Sequence, residues 1–129
     1  MEKKKNHSRK RDSILACLAG TKTHPSADWV YRQLKPELPD LSLGTVYRNL
    51  SEFLDSGQII SVGTVGGLER YDFDTTPHAH FICRKCHAVI DVAEIPLTSL
   101  PELPGTMESC AITFTGICNS CQSAFPDAQ

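Results

Sequence analysis

The chain has 129 residues, a formal net charge of −2 and six cysteines. That length fits one ordinary domain or two small ones, each short of the apolar core that holds larger proteins together, so a structural metal is an expected supplement. No apolar run approaches the roughly 18 residues of a membrane-spanning helix, and no apolar segment follows the lysine-rich start as it would in a secretion signal; the chain is expected to be soluble and cytoplasmic, with no membrane partner.

The charge is unevenly divided. Residues 1–70 carry 11 Lys/Arg against 8 Asp/Glu, whereas residues 71–129 carry 2 against 7. A basic half beside an acidic half suits one part that faces phosphate and another that holds cations. Six of the basic residues, Lys3, Lys4, Lys5, Arg9, Lys10 and Arg11, precede the first apolar stripe and are candidate phosphate contacts. For the first five residues alone, a solvated and frayed terminus explains the charge equally well.

In chain order, Arg9–Ala19 reads as a helix with Ile14, Leu15 and Leu18 on one stripe, closed by Gly20. Pro25 and Ser26 open a second helix, with Asp28 in its first turn, Trp29, Val30 and Leu34 on one face and Pro36 as the stop. Ser42 caps a third, with Leu43, Val46, Leu50, Phe53 and Leu54 at helical spacing and Gly57 at its end. Gln58–Val62 and Glu69–Phe73 read as strands joined by a turn at Gly63, Gly66 and Gly67. Three helices and then a hairpin is the order of a winged helix-turn-helix, whose third helix enters the major groove of DNA. Thr45, Tyr47, Arg48 and Ser51 lie off the apolar stripe of that helix. Arginine can read guanine through two hydrogen bonds, and a tyrosine ring or threonine methyl can meet the methyl of thymine. A solvated helix face is the plainer alternative; helix order, hairpin and basic half together favour DNA.

The composition changes after Phe73. Residues 74–77 read as a linker between a DNA-binding domain at 1–73 and a second domain at 78–129. There His78–Cys83 and Ala88–Ala93 read as strands, Leu97–Leu103 as a helical turn or two among prolines, and Ser109–Gly116 as a further strand. The fold class is α+β: an N-terminal winged helix-turn-helix followed by a small α/β domain.

The strongest motif is the pair of CxxC knuckles, Cys83/Cys86 and Cys118/Cys121, separated by 31 residues. Four thiolates in two tight turns supply the closed tetrahedral set of a structural zinc. Paired disulfides or redox motifs are the alternative, but neither a secretory signal nor a βαβ context accompanies them. Cys17 and Cys110 sit among apolar residues and are expected to be buried.

His78 and His80, two apart in a strand, share a face. If the hairpin closes over the first knuckle, Asp91 falls opposite His80, with Cys83 facing the other way; a slip of one residue would turn Asp91 over. Nitrogen and oxygen donors suit Fe(II), Mn(II), Co(II), Ni(II) or Zn(II) alike. Asp72 and His24 are candidate completing ligands from the first half, although a His-Pro step also serves simply to start a helix.

These residues carry a resemblance. His24-Pro25-Ser26-Ala27, the run from Leu41 to Leu50, Arg70-Tyr71-Asp72, the run from His78 to Cys86, and Gly116-Ile117-Cys118-Asn119-Ser120-Cys121 resemble the ferric uptake regulator family, most of all its peroxide-sensing branch. The resemblance spans about Arg9 to Cys121. It implies a homodimeric metal-dependent repressor that binds a palindromic double-stranded operator, with zinc on Cys83, Cys86, Cys118 and Cys121. It further implies a regulatory Fe(II) or Mn(II) on His24, Asp72, His78, His80 and Asp91. In that branch Fe(II) reacts with hydrogen peroxide and a ligand histidine is oxidised; the matching positions are His24 and His78. Iron-responsive members generally carry glutamate where Asp91 stands. Pro96–Thr106 departs from the family, being short and proline-rich where a longer dimerisation helix is usual, and it lacks the histidine-plus-glutamate set of an additional site; two metals per subunit are expected.

The sequence also admits three rival readings. One is a repressor responsive to iron, zinc or manganese without peroxide chemistry. Another is a metal-dependent hydrolase, which an open coordination position would permit, but no nearby glutamate stands out as a base and the helical half would lack a purpose. A zinc-ribbon interaction module leaves His78, His80 and Asp91 unexplained. The reading is therefore of a regulator and not an enzyme.

Overall fold

The computed structural model describes residues 2–76, 78–94, 96–108 and 110–124. The chain divides into two compact units, Met1–Thr75 and Thr76–Gln129, with the break inside the stretch expected as a linker; Pro77 lies outside the described residues.

In the first unit α1 spans Glu2–Ala19, α2 Ala27–Leu34 and α3 Leu43–Asp55. Helix α1 starts well before Arg9, since lysine, glutamate and arginine favour helix on propensity alone; the side chains of Lys3, Lys4 and Lys5 lie outside the described residues. Ser26 caps α2, its Oγ accepting from Trp29 N at 3.2 Å, and Ser42 caps α3, accepting from Thr45 N at 3.1 Å. Each cap satisfies an otherwise unpaired N–H, typically about 1 kcal/mol of helix stability. Gly57 follows the cap of helix α3, and its φ of +77° lets Gln58 N reach back to Phe53 O at 2.9 Å and Gly57 N to Leu54 O at 3.1 Å. Ile14 and Leu18, Val30 and Leu34, and Val46, Leu50 and Phe53 bury one stripe from each helix in a single cluster, closed by Tyr71 from the hairpin.

That hairpin pairs β1, Ile60–Val65, with β2, Leu68–Asp72. Its turn is the two-residue pair Gly66 and Gly67, both with positive φ, which suits the twist of the flanking strands. Gly63 does not belong to the turn: it lies inside β1 at a bulge, with φ of +101°.

The second unit is a three-stranded sheet of order β4-β3-β5, with β3 at His78–Cys83, β4 at Val89–Glu94 and β5 at Ile112–Gly116. Strand β3 is antiparallel to β4 and parallel to β5. A 3-10 turn occupies Leu97–Ser99, and a short helix, α4, follows β5 at Asn119–Ala124. Ile90, Phe81 and Phe114 stand in one row across the sheet, and Ile90 and Phe114 are exposed. The described residues of this unit bury very little: Ala79, His80, Cys83, Val89 and Cys118. Three of those five are candidate metal ligands. Cys110, expected to be buried, is exposed, and Cys17 is half-buried against the helical core.

Candidate metal centres

The β3–β4 hairpin and the β5–α4 junction each contribute one CxxC knuckle. Arg84 N donates to Gly116 O at 2.8 Å, tying the first knuckle to the end of β5, and His87, with φ of +62°, returns its N–H to Cys83 O at 2.9 Å to close the turn. Cys86 Sγ lies 3.8 Å from Cys118 Sγ, and the four sulfurs lie within 4.8 Å of one another. Zinc bonded to four thiolates at about 2.3 Å has sulfurs roughly 3.8 Å apart, whereas a disulfide needs about 2.05 Å. None of the four is joined in a disulfide.

The electrostatics point the same way. Backbone N–H groups of Cys118, at 3.3 Å, and of Cys86, at 3.5 Å, donate to Cys83 Sγ and pull its thiol down to about 6. Cys121 is pushed up to about 12, first by its hydrogen bond with Cys118 and then by burial. Sulfurs this close cannot all ionise unless a cation joins them, and a divalent ion with soft-ligand tolerance is what the donor set fits.

On β3 and β4 the pairing is the expected one, His80 opposite Asp91, Phe81 opposite Ile90 and Ile82 opposite Val89. A bulge between His78 and His80 shifts the register beyond them. Both imidazoles nevertheless meet the same carboxylate oxygen: His78 Nε2 stands 3.0 Å and His80 Nε2 3.4 Å from Asp91 Oδ1. The rings are 4.4 Å apart, and His78 Nδ1 lies 2.6 Å from Thr76 O. A backbone carbonyl on the far nitrogen of a metal-binding histidine fixes the tautomer that leaves Nε2 for the ion. Strand alternation sends Cys83 to the opposite face.

The first unit brings together the other two candidates. His24 Nε2 is 3.2 Å from Asp72 Oδ2, and both residues are buried. Asp74 N donates to Asp72 Oδ1 at 2.9 Å, which turns the second oxygen toward the histidine. His24 has φ of +54°. A non-glycine residue there is held at a cost of about 1–3 kcal/mol and persists only where its surroundings dictate it. The surroundings are β2: Arg70 Nη2 donates to Thr23 O at 2.7 Å, Arg70 Nε donates to His24 O, and Tyr71 N donates to Pro25 O at 3.0 Å. Arg70 was not a sequence candidate. The available signal was strand alternation, which places Arg70 and Asp72 on one face of β2.

Of the residues expected to face DNA, Tyr47, Arg48 and Ser51 are exposed along α3. Thr45 is half-buried, with its hydroxyl 2.9 Å from Ser42 Oγ within the cap. Arg9 is exposed, Lys10 pairs with Asp40 at 3.2 Å, and the Arg11 guanidinium lies 5.7 Å from the centre of the Phe53 ring. The ion pair with Lys10 holds the Asp40 carboxyl below its ordinary range.

Comparison with known proteins places these features in context. Residues 2–106 match the ferric uptake regulator family. The chain is 33% identical over 117 residues to the peroxide-responsive repressor PerR of Staphylococcus aureus, covering 87% of this chain and 79% of that protein. In fold it is similar to the Helicobacter pylori ferric uptake regulator Fur, with a TM-score of 0.73, 21% identity and coverage of 88% of this chain and 80% of that one. It is equally similar to the Campylobacter jejuni peroxide stress regulator, with a TM-score of 0.72, 20% identity and coverage of 93% and 94%.

Proposed function

The chain belongs to the ferric uptake regulator family, and from that premise we propose that it is a metal-dependent, DNA-binding transcriptional repressor that senses hydrogen peroxide through a regulatory Fe(II) or Mn(II) site. The observation that carries the peroxide reading is Asp91, an aspartate on which His78 and His80 converge through one oxygen. The relative named as a peroxide-responsive repressor supports the same assignment.

The first unit offers two donors, His24 and Asp72, and the second three, His78, His80 and Asp91. Neither set fills a coordination sphere alone, and we assign all five to one regulatory ion. Zinc, on this reading, occupies Cys83, Cys86, Cys118 and Cys121 and holds the second unit together. Ligands drawn from both units would fix the separation of the two DNA-binding halves of a homodimer, matching two half-sites of a palindromic operator. Tyr47 and Arg48, with Thr45 and Ser51, are assigned to the major groove, and Arg9, Lys10 and Arg11 to phosphate. Lys10 would exchange Asp40 for phosphate when it binds. The site of action is the cytoplasm; no helix among the described residues is long and apolar enough to cross a membrane.

Bound Fe(II) would supply the redox chemistry with peroxide that ends in oxidation of His24 or His78. The chain's own part is to hold those imidazoles against carboxylates and to lose its clamp when one is altered. The test is operator affinity of the Fe(II)-loaded and Mn(II)-loaded protein before and after stoichiometric peroxide. Loss of affinity with iron alone is expected. Equal loss with both metals, or none with either, would leave a plain metal-responsive repressor.

A further inference from the structure

We propose that Arg70 is a positioning residue for the regulatory metal, acting on His24 through its main chain; the inference rests on the metal assignment above. The guanidinium spans two successive carbonyls, donating from Nη2 to Thr23 O at 2.7 Å and from Nε to His24 O. Those carbonyls flank the one backbone torsion that aims the His24 imidazole, the φ of +54°. Two residues along the same strand, Asp72 receives that imidazole at 3.2 Å, and between them Tyr71 N holds Pro25 O at 3.0 Å. One short strand therefore supplies one ligand and fixes the approach of another that is 46 residues away from Arg70 in sequence.

The same strand forms the wing. Arg70 pairs with Gly63 at the bulge of β1, midway along the hairpin whose tip a winged helix brings to DNA. Arg70 thus joins the hairpin to a metal ligand, so that settling His24 on the ion also settles the strand that carries the wing. A cavity of about 220 Å³ adjoins Arg70 beside Thr23, Pro25, Trp29 and Leu68. A shorter side chain at position 70 fits there without overpacking.

The experiment uses the full zinc-loaded chain and Mn(II) as the probe, with free Mn(II) followed by electron paramagnetic resonance. Wild type, Asp72→Ala, Arg70→Gln, Arg70→Lys and the core variant Leu50→Ala are compared. Losing an outer-sphere partner of a ligand typically weakens metal binding roughly 10–100-fold, which is the loss expected for Arg70→Gln. Arg70→Lys, with one donor left, should fall between it and wild type. Leu50→Ala should lower the melting temperature and leave Mn(II) affinity alone, which separates positioning from general stability. Co(II) at saturation should show altered visible bands in Arg70→Gln and unaltered bands in Leu50→Ala. If wild type binds Mn(II) more tightly than Asp72→Ala while Arg70→Gln matches wild type in affinity and Co(II) spectrum, the inference falls and the metal assignment stands. If Asp72→Ala itself matches wild type, the metal assignment falls and takes this inference with it.

Discussion

Replacing Cys118 with serine should unfold the second unit while leaving the first intact. Among its described residues that unit buries only Ala79, His80, Cys83, Val89 and Cys118. Val89 is the one full-sized aliphatic among them, and its burial contributes only about 1.5–3 kcal/mol. Ordering each residue of a chain costs about 1–2 kcal/mol in backbone entropy alone, so burial on this scale cannot hold some fifty residues. A four-thiolate zinc would supply what is missing: structural zinc in small peptides binds with an apparent free energy of about 10–16 kcal/mol, which is coupled to folding. The 3.8 Å between Cys86 and Cys118 shows the sulfurs already set for it. A serine hydroxyl is a poor zinc ligand, and Cys118→Ser also deletes the sulfur hydrogen-bonded to Cys121. The assay is zinc content by mass spectrometry under native conditions, together with amide protection residue by residue. Wild type should hold one zinc that resists dilution, and the variant should lose protection in β3, β4 and β5 while the helices of the first unit keep theirs. One equivalent of zinc and full sheet protection in Cys118→Ser would refute the reasoning.

Acid should reproduce this loss in the unmodified chain. Zinc is held by thiolates, so protons compete with the ion for the four sulfurs; zinc retention, measured against pH, should fall as the solution is acidified, and retention unchanged at strongly acid pH would count against thiolate ligation. Arg48→Ala should weaken operator binding by about 1–3 kcal/mol, or roughly 5–150-fold, if the guanidinium reads a base, with the salt slope little changed; equal affinity across several salt concentrations would exclude that contact. Asp91→Ala removes the oxygen shared by His78 and His80 and should abolish Mn(II)-dependent DNA binding with zinc retained, as gel shift and metal analysis would show. Fe(II) protein treated with peroxide should gain one oxygen on His24 or His78 by peptide mass spectrometry. Should a thiol be oxidised instead, exposed Cys110 should react before Cys17, whose pKa burial has raised.

The sequence was most legible where local chemistry decides the outcome. Ser26, Ser42 and Gly57 cap their helices because a hydroxyl or a positive φ is needed at those places, and the CxxC turn sets where the β3–β4 hairpin closes, from which the pairing of His80 with Asp91 follows. It was less legible where a group was already committed elsewhere. Strand β1 begins at Ile60 rather than Gln58 because Gln58 N bonds Phe53 O in the cap of α3, with Ile59 N 3.4 Å from the same oxygen. Gly63 looked like part of the turn, but Gly66 and Gly67 already supply the two positive φ values that a short hairpin needs, and Gly63 serves the bulge. Cys110 was expected inside because the strand was read from Ser109, but β5 begins only at Ile112, and Cys110 lies exposed ahead of it. Helix α4 is short and polar and carries no apolar period to betray it. The role of Arg70 depends on carbonyls across the fold, which no local pattern encodes.

The turn that closes the β3–β4 hairpin would, with zinc on its knuckle, also set an order of assembly. Asp91 faces His80 only while Cys83 N is bonded to Ala88 O, at 3.0 Å, and the strands pair in that register. A slip of one residue would send the aspartate to the other side of the sheet. On the proposed zinc assignment the sulfur knuckle would lock that register, and the nitrogen-and-oxygen half-site would form only after the sulfur site has closed. A newly made chain short of zinc would have no competent place for its second ion, whatever the supply of iron or manganese. Starvation for the inert metal would then look, from outside, like deafness to the reactive one.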